Sequence, residues 1–402
     1  MDSSNTANSR FLWTLRYTLL NVSYFAAFCS LHALAAVFLL ANGFTNTEIG
    51  ILLAIANISS ALCQPLIAGI IDRGGWLTNR RFILIAVLLI MAGSFALMPL
   101  QGNKPLVFVI YAFIYMLQFA YMPVMTALYF EYEKAGCSIF FGLARGLGSA
   151  SFAVTSAFIG GFVEKNGVAI LLIANVIAML VSAVIIYTFK LPKGAVTPRS
   201  EDAPSESSKR GLSGFVKKYP VYAIFLAATV CFYFSHNMIN DFMIQIIRSL
   251  GGGETELGYS NFLQAILELP VMAMIGIILK KISAKKLLVL SGFAFFVKNL
   301  ILIFATNMAG MYLSQSCQLF AYAVFIPAAA YYVDSSMDSN DQVKGQALVT
   351  SAITVGGVFS NVVSGVVMDN FGIKAMLITG TAVCAVGAVV VLFALSSRRE
   401  HT

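Results

Sequence analysis

Apolar runs long enough to cross a bilayer follow one another along nearly the whole of this chain, and that property removes most folds from consideration. A helix needs about 20 apolar residues to span the hydrocarbon core. Measured against that length, the sequence gives twelve spans: Phe11–Leu40, Thr47–Ile71, Arg81–Leu100, Leu106–Phe130, Ile139–Val163, Val168–Phe189, Tyr219–Ile247, Leu257–Leu279, Leu287–Ala305, Ala309–Val333, Gly345–Met368 and Lys374–Leu395. No water reaches the bilayer core, so each run must satisfy its own backbone N–H and C=O groups, as a helix does. Of the 402 residues, 59% are hydrophobic and 11% charged. A soluble domain carries roughly 25% charged residues, so the bilayer has to solvate much of this surface. The expected fold class is an all-α membrane protein.

The net charge of +8 does not point to nucleic acid, because the basic residues sit in short loops between apolar runs. With both termini cytoplasmic, the outer loops hold only Lys104, Lys165, Arg248 and Lys374. Arg145 and Lys298 fall inside spans, and the other twenty Lys and Arg lie on the cytoplasmic side, among them Arg73, Arg80, Arg81, Lys280, Lys281, Lys285, Lys286, Arg398 and Arg399. That bias fixes the orientation. The polar start, Met1–Arg10, leads into a run too long for a signal peptide, so the first helix is read as retained. Cys29, Cys63, Cys137, Cys231, Cys317 and Cys384 are scattered without metal-ligand spacing and read as small packing residues. A cell-membrane protein is expected, embedded in the lipid bilayer as a monomer.

One stretch interrupts the apolar pattern. Lys190 to Lys218 is rich in Ser, Pro, Lys and Glu and reads as a flexible cytoplasmic linker. The expected organisation is a six-helix bundle over 1–190, a linker over 191–218, and a second six-helix bundle over 219–402. The halves echo each other. Thr47-Glu48-Ile49-Gly50 opens the second span and Thr255-Glu256-Leu257-Gly258 the eighth, 208 residues on. Both spans end in Gly-Ile-Ile, at Gly69 and Gly276. The fifth span begins Gly142-Leu143-Ala144 and the eleventh Gly345-Gln346-Ala347, 203 residues on. These words point to a parallel duplication of a six-helix unit, a recognised transporter architecture.

Gly365-Val366-Val367-Met368-Asp369-Asn370-Phe371-Gly372, closing the eleventh span, is similar to the G-x-x-x-D-x-x-G element of the major facilitator superfamily. The loop Gly69-Ile70-Ile71-Asp72-Arg73-Gly74-Gly75 with Arg80-Arg81 is similar to that family's signature loop, although its leading glycine stands one residue closer to the acid and its basic pair comes later. Phe141-Gly142-Leu143-Ala144-Arg145-Gly146-Leu147-Gly148 resembles the fifth helix of the oligosaccharide, nucleoside and arylpropionate proton symporters, and Glu268-Leu269-Pro270 resembles an eighth-helix element of that group. Ala127, Gln318 and Ala321 stand where its galactoside permeases carry a Glu, a His and a Glu. The resemblance implies the major facilitator fold, with two parallel six-helix repeats, and alternating-access transport of a small molecule with H⁺. It implies no cofactor, and it implies gating roles for Asp72, Arg73 and Asp369.

Charges inside a membrane cost about 2.5–3.5 kcal/mol on insertion scales, so they are kept where they face a cavity or a partner. Arg145, Asp241, Glu268 and Lys298 are four such groups. Glu268 and Lys298 each lie about 16 Å from their own membrane face, at a rise of 1.5 Å per residue, which puts them within reach of each other; Glu268 is the expected proton carrier and Lys298 its switchable partner, meeting it in one conformation and parting in another, with Asp241 as the alternative carrier. His236, Asn237, Asn240, Asp241 and Gln245 share one strip of the seventh span, at spacings of about four residues. Asn261, Gln264 and Glu268 form a strip on the eighth, Gln315, Gln318 and Tyr322 on the tenth, and Tyr111, Tyr115, Gln118 and Met122 on the fourth. Arg145, Asn237, Asp241, Gln264, Gln318, Tyr115 and Gln118 are the expected substrate ligands, since amides with aromatics suit sugars or nucleosides, whereas His32 is expected to be a packing residue. No nucleophile elbow, phosphate loop or metal cluster is present in the sequence, so neither an enzyme nor a metal site is expected. A drug or metabolite:proton antiporter and a transport-dead sensor are the rival readings.

Overall fold

Every regular element among the described residues, 3–191 and 212–396 of a computed structural model, is helical. In the first half these are α1 (Ser3–Phe28), a π-helical turn (Cys29–Ala33), α2 (Ala35–Ala41), α3 (Asn46–Asp72), α4 (Asn79–Leu97), α5 (Lys104–Lys134), α6 (Phe141–Asn166) and α7 (Ala169–Thr188). The second half has α8 (Leu212–Lys218), α9 (Pro220–Asp241), α10 (Met243–Ser249), α11 (Glu254–Ile278), α12 (Ala284–Phe304), α13 (Met308–Ser316), a 3₁₀ turn (Cys317–Leu319), α14 (Tyr322–Ser336) and α15 (Ser339–Ser396).

The helix starts follow local chemistry. At α3, the Thr45 N–H donates to Glu48 Oε2 (2.8 Å) and the Glu48 N–H to Thr45 Oγ1 (3.2 Å), a reciprocal capping box. Thr78 caps α4 and Asn307 caps α13. Proline stands in the first turn of α5 and of α9, where its missing N–H costs nothing. Large apolar side chains such as Leu62, Phe158, Val184 and Phe393 point outward along these helices. A contiguous outer surface of that kind needs lipid. The chain is a multi-pass membrane protein.

Among the described residues, ten helices are long and apolar enough to cross a membrane. The pair on either side of Leu34, bent by 48°, makes an eleventh. Twelve is reached only by dividing α15 at Gly372, where φ of 84° breaks the helical path. Three of the expected spans are not single helices. The first bends at the π turn, the seventh breaks at Phe242 (φ −114°, ψ 23°), and the tenth breaks at Cys317–Leu319. Within the expected linker, residues 192–211 lie outside the described residues, as do Arg398 and Arg399. Its last seven residues are not a coil but form α8, with Phe215 buried and Lys218 Nζ 2.5 Å from Asp338 Oδ2 and 2.6 Å from Asp341 Oδ2. Those hydrogen bonds, to Asp338 and then Asp341, hold the Lys218 ammonium above the usual lysine range.

Two compact units divide the chain. The first spans Met1–Phe44, Ile55–Ser200 and Glu254–Phe262; the second spans Thr45–Ala54, Glu201–Gly253 and Leu263–Thr402. In the first, α1 packs on α6 and α7, and α4 on α5 and α7. In the second, α9 packs on α15, and α12 on α14 and α15, around rings that include Phe225, Phe232, Phe295 and Phe325. Each unit contains a seam, at matching places, in which glycine lets backbones touch. In the second unit, a Cβ on Gly50 would stand 2.0 Å from the Asn361 carbonyl oxygen, and one on Gly365 would stand 2.3 Å from that of Asn46. In the first, a Cβ on Gly160 would stand 2.0 Å from the Glu254 oxygen, and one on Gly258 would stand 2.3 Å from that of Ser156. The seams match residue for residue at spacings near those of the sequence echoes, and they carry the internal duplication into three dimensions.

Candidate functional site

The second unit gathers a polar group in an apolar interior. Lys298 on α12 is fully buried, with 0% of its surface exposed. Its Nζ donates to Gln318 Oε1 at 2.9 Å, and Gln318 Nε2 donates to Glu268 Oε1 at 3.2 Å. Glu268 and Lys298 thus meet through Gln318 and not directly. The Gln318 amide stands between them, offering its oxygen to the ammonium and its N–H to the carboxylate. Gln318 lies on the 3₁₀ turn that splits the tenth crossing, so the bridge sits on a break in the helix. Ser314 Oγ donates to the Lys298 carbonyl (2.7 Å), tying α13 to α12 one turn away.

His236 on α9 stacks on Tyr322 (ring centroids 5.2 Å apart, 17° between planes) and meets the Phe295 ring edge-on. Asn240 Nδ2 lies 2.8 Å from His236 Nε2. An amide nitrogen donates, so Nε2 accepts and the neutral ring carries its hydrogen on Nδ1. That Nδ1 is buried and has no hydrogen-bond partner, like Asn240 Oδ1 and Gln315 Oε1. Gln264 is buried on α11, one helical turn from Glu268. Asn237 packs against Gly357, whose added Cβ would lie 2.5 Å from its amide nitrogen. Asp241 closes α9, with Asn361 beside it.

The first unit holds the other expected ligands. The Arg145 guanidinium lies 4.2 Å from the centroid of the Phe25 ring and donates to Ser149 Oγ (3.3 Å). Tyr115 lies against His32, centroids 3.8 Å apart, and Phe28 covers the opposite side of that ring at 4.0 Å. Gln118 is used differently from the sequence expectation: its amide donates to Asn175 Oδ1 (3.0 Å), whose own amide donates to Ser94 Oγ (2.8 Å). The helix-to-helix bond takes its amide nitrogen, while its Oε1 stays buried without a partner.

Of the expected gating residues, Asp72 and Arg73 are exposed at the end of α3. The basic pair beyond them serves the fold. Arg80 donates to the Ile186 and Tyr187 carbonyls at the end of α7, and Arg81 to the Trp76 carbonyl. Asp369 accepts from the Asn46 N–H (3.3 Å), Asn46 Nδ2 (2.8 Å) and the Thr47 N–H (2.7 Å), which makes it an anionic cap on the N-terminus of α3. Gln245 Nε2 joins this cap through Asn46 Oδ1 (2.9 Å). Sequence reasoning missed Asn46 and Asn361. The triplet Ser360, Asn361 and Ser364, polar at i, i+1 and i+4 in an apolar run, was the available signal.

No curated protein sequence matches the chain significantly. Among solved structures, it is similar to the nucleoside transporter NupG, at 16% identity, covering 96% of this chain and 100% of that one with a TM-score of 0.79. An auto-inhibited POT family peptide transporter is 12% identical, over 98% of this chain and 97% of that one, at 0.74. A bacterial homolog of the human lysosomal transporter Spinster, inward-facing and occupied, is 12% identical over 96% of each chain, at 0.69. At these identities the likeness establishes the fold. The family rests on the sequence itself: the model of the MFS_1 like family matches residues 12–378, and the chain belongs to that family of the major facilitator type.

Proposed function

We propose that this major facilitator protein is a secondary active transporter that imports a small polar solute, a sugar or a nucleoside, together with a proton. The observation that carries the reading is the buried bridge Glu268–Gln318–Lys298 on a broken helix. A hydrogen bond to a charged group is about twice as strong as a neutral one. The ionised Glu268 carboxylate therefore holds Gln318 firmly, and Gln318 in turn holds the Lys298 ammonium. A proton on Glu268 removes the charge and loosens the bridge at the break between α13 and α14. Proton binding then favours one conformation over another, which is what coupling requires. Asn237, Gln264, Tyr115 and Arg145 are the proposed solute contacts, Arg145 because its planar fork matches hydroxyl pairs and carboxylates. Asp72, Arg73 and Asp369 are the proposed gating groups.

The test begins with a thermal-shift screen of the purified protein against sugars, nucleosides and aromatic acids, since a ligand of the native state stabilises it. The hit then serves as the transport probe. Glu268→Gln is expected to lose uphill accumulation and to keep substrate exchange, because exchange needs no deprotonation. Uphill accumulation that survives in Glu268→Gln overturns the assignment. Proton-driven export of the hit, in place of uptake, overturns import in favour of an antiporter.

A further inference from the structure

Asp241 differs from Glu268, the other half-buried acid within the spans of the second unit. Glu268 reaches a cation through Gln318, whereas no described Lys, Arg or His lies within ion-pairing distance of Asp241. A carboxylate half withdrawn from water without a counter-charge is costly, which favours a proton or a cation beside it. One amide stands beside it. Facing it across the α9–α15 contact is Asn361, fully buried, and neither amide atom of that residue makes a well-formed hydrogen bond. Ser360 and Ser364 lie on the same face of α15 as Asn361, are also fully buried, and have hydroxyls with no partner. Each such orphan costs about 1–3 kcal/mol, so three on one helix face mark a place built for something to fill.

The backbone adds a further element. Helix α9 stops at Asp241, because Phe242 leaves helical φ/ψ before α10 begins. The end of a long helix carries partial negative charge and carbonyls without intrahelical donors. Broken helices of membrane transporters use such carbonyl ends to hold Na⁺ or H⁺. A carboxylate, an amide oxygen and hydroxyl oxygens form a hard-ligand set, suited to a hard cation and not to a soft metal.

We propose that the break in the seventh crossing is a Na⁺ site, with Asp241 and Asn361 as its principal side-chain ligands and Ser360 and Ser364 completing its wall. The site stands on its own observations and does not depend on the role assigned to Glu268.

The experiment follows the thermal midpoint of the purified full-length protein at alkaline pH, titrated with NaCl against choline chloride at equal ionic strength. Na⁺ is expected to raise the midpoint saturably by a few degrees. Asp241→Asn, which keeps shape and loses charge, is expected to abolish the rise. Asn361→Leu is expected to weaken Na⁺ at least tenfold, and this second variant keeps the test decisive if Asp241→Asn is poorly expressed. Glu268→Gln is expected to retain the rise, so that failure of the proton-coupling reading and failure of the Na⁺ site give different results. A midpoint indifferent to Na⁺, a rise that persists in Asp241→Asn, or an equal rise with choline overturns the proposal. A midpoint that follows pH but not Na⁺, and loses that dependence in Asp241→Asn, also overturns it by giving the place to a proton.

Discussion

In the first unit the Gln118 amide nitrogen, Asn175 and Ser94 bond one another across three helices, Ser23 bonds Ser182 (2.7 Å), and Tyr17, Tyr24, Tyr111 and Tyr132 each donate to a backbone carbonyl of a neighbouring segment. In the second unit, His236 Nδ1, Gln315 Oε1, Asn299 Oδ1, Ser360 and Ser364 stand buried without partners, and neither amide atom of Asn361 makes a well-formed hydrogen bond. The contrast separates two uses of polarity in a membrane. Interhelical hydrogen bonds that close on themselves hold helices together. Polar groups left open in a dry interior cost stability and are kept where a ligand or an ion meets them. The first unit has open groups as well: His32, stacked between Phe28 and Tyr115 with both ring nitrogens unpartnered, and Asn21 Oδ1, Gln118 Oε1, Tyr121 Oη, Ser260 Oγ and Asn261 Nδ2.

The largest expected effect tests the open side of this contrast. Lys298→Met keeps the length of the side chain and deletes the ammonium. Uphill accumulation of the screened substrate should fall by about tenfold or more, since a hydrogen bond to a charged group contributes about 1.5–3 kcal/mol. Normal accumulation would mean that the bridge is inert scaffolding, like the amide chain of the first unit. The next test addresses the closed side. Asn175→Leu strips both partners from Gln118 and Ser94 and leaves them buried, and it should destabilise the protein by about 1–3 kcal/mol, read as a lower thermal midpoint. The fraction that stays folded should transport at the wild-type rate. The smallest effect is the sharpest comparison. Ser23→Ala should cost about 1 kcal/mol, the usual net value of one hydrogen bond. Ser360→Ala, measured without Na⁺, should cost nothing or raise the midpoint, because its hydroxyl has no bond to lose. Equal losses in the two serine variants would erase the distinction between the units.

Much of this was legible in the sequence because the bilayer imposes one length on every crossing. The apolar runs located the helices, and the rise per residue placed Glu268 and Lys298 at one depth. Depth does not give azimuth, however. The two side chains reach the same level but meet through Gln318, which the sequence offered as a substrate ligand. Gln118 looked like its counterpart on the fourth crossing, and only packing shows that Asn175 occupies its amide. The breaks at Leu34, Phe242 and Cys317–Leu319 were illegible for a plain reason: none contains proline or glycine, the residues that announce a break through their own backbone preferences. Those breaks are set by tertiary packing, and two of the three fall where the chemistry is placed.

The glycine seams have a kinetic consequence. Where Gly50 and Gly365, or Gly160 and Gly258, press on a carbonyl of the facing helix, no side chain stands between the two backbones. Elsewhere in a packed interior, side chains interdigitate, and parting two helices means moving many rotamers out of one another's way. A contact made of backbone on backbone, held by weak Cα–H···O attraction, has no teeth to disengage. It behaves like a smooth bearing closed by a latch: the backbone strip adds little friction, and the resistance to parting is concentrated in the few side-chain bonds at its end, those of Asp369 to Asn46 and Thr47 in one seam and of Thr255 to Glu164 in the other.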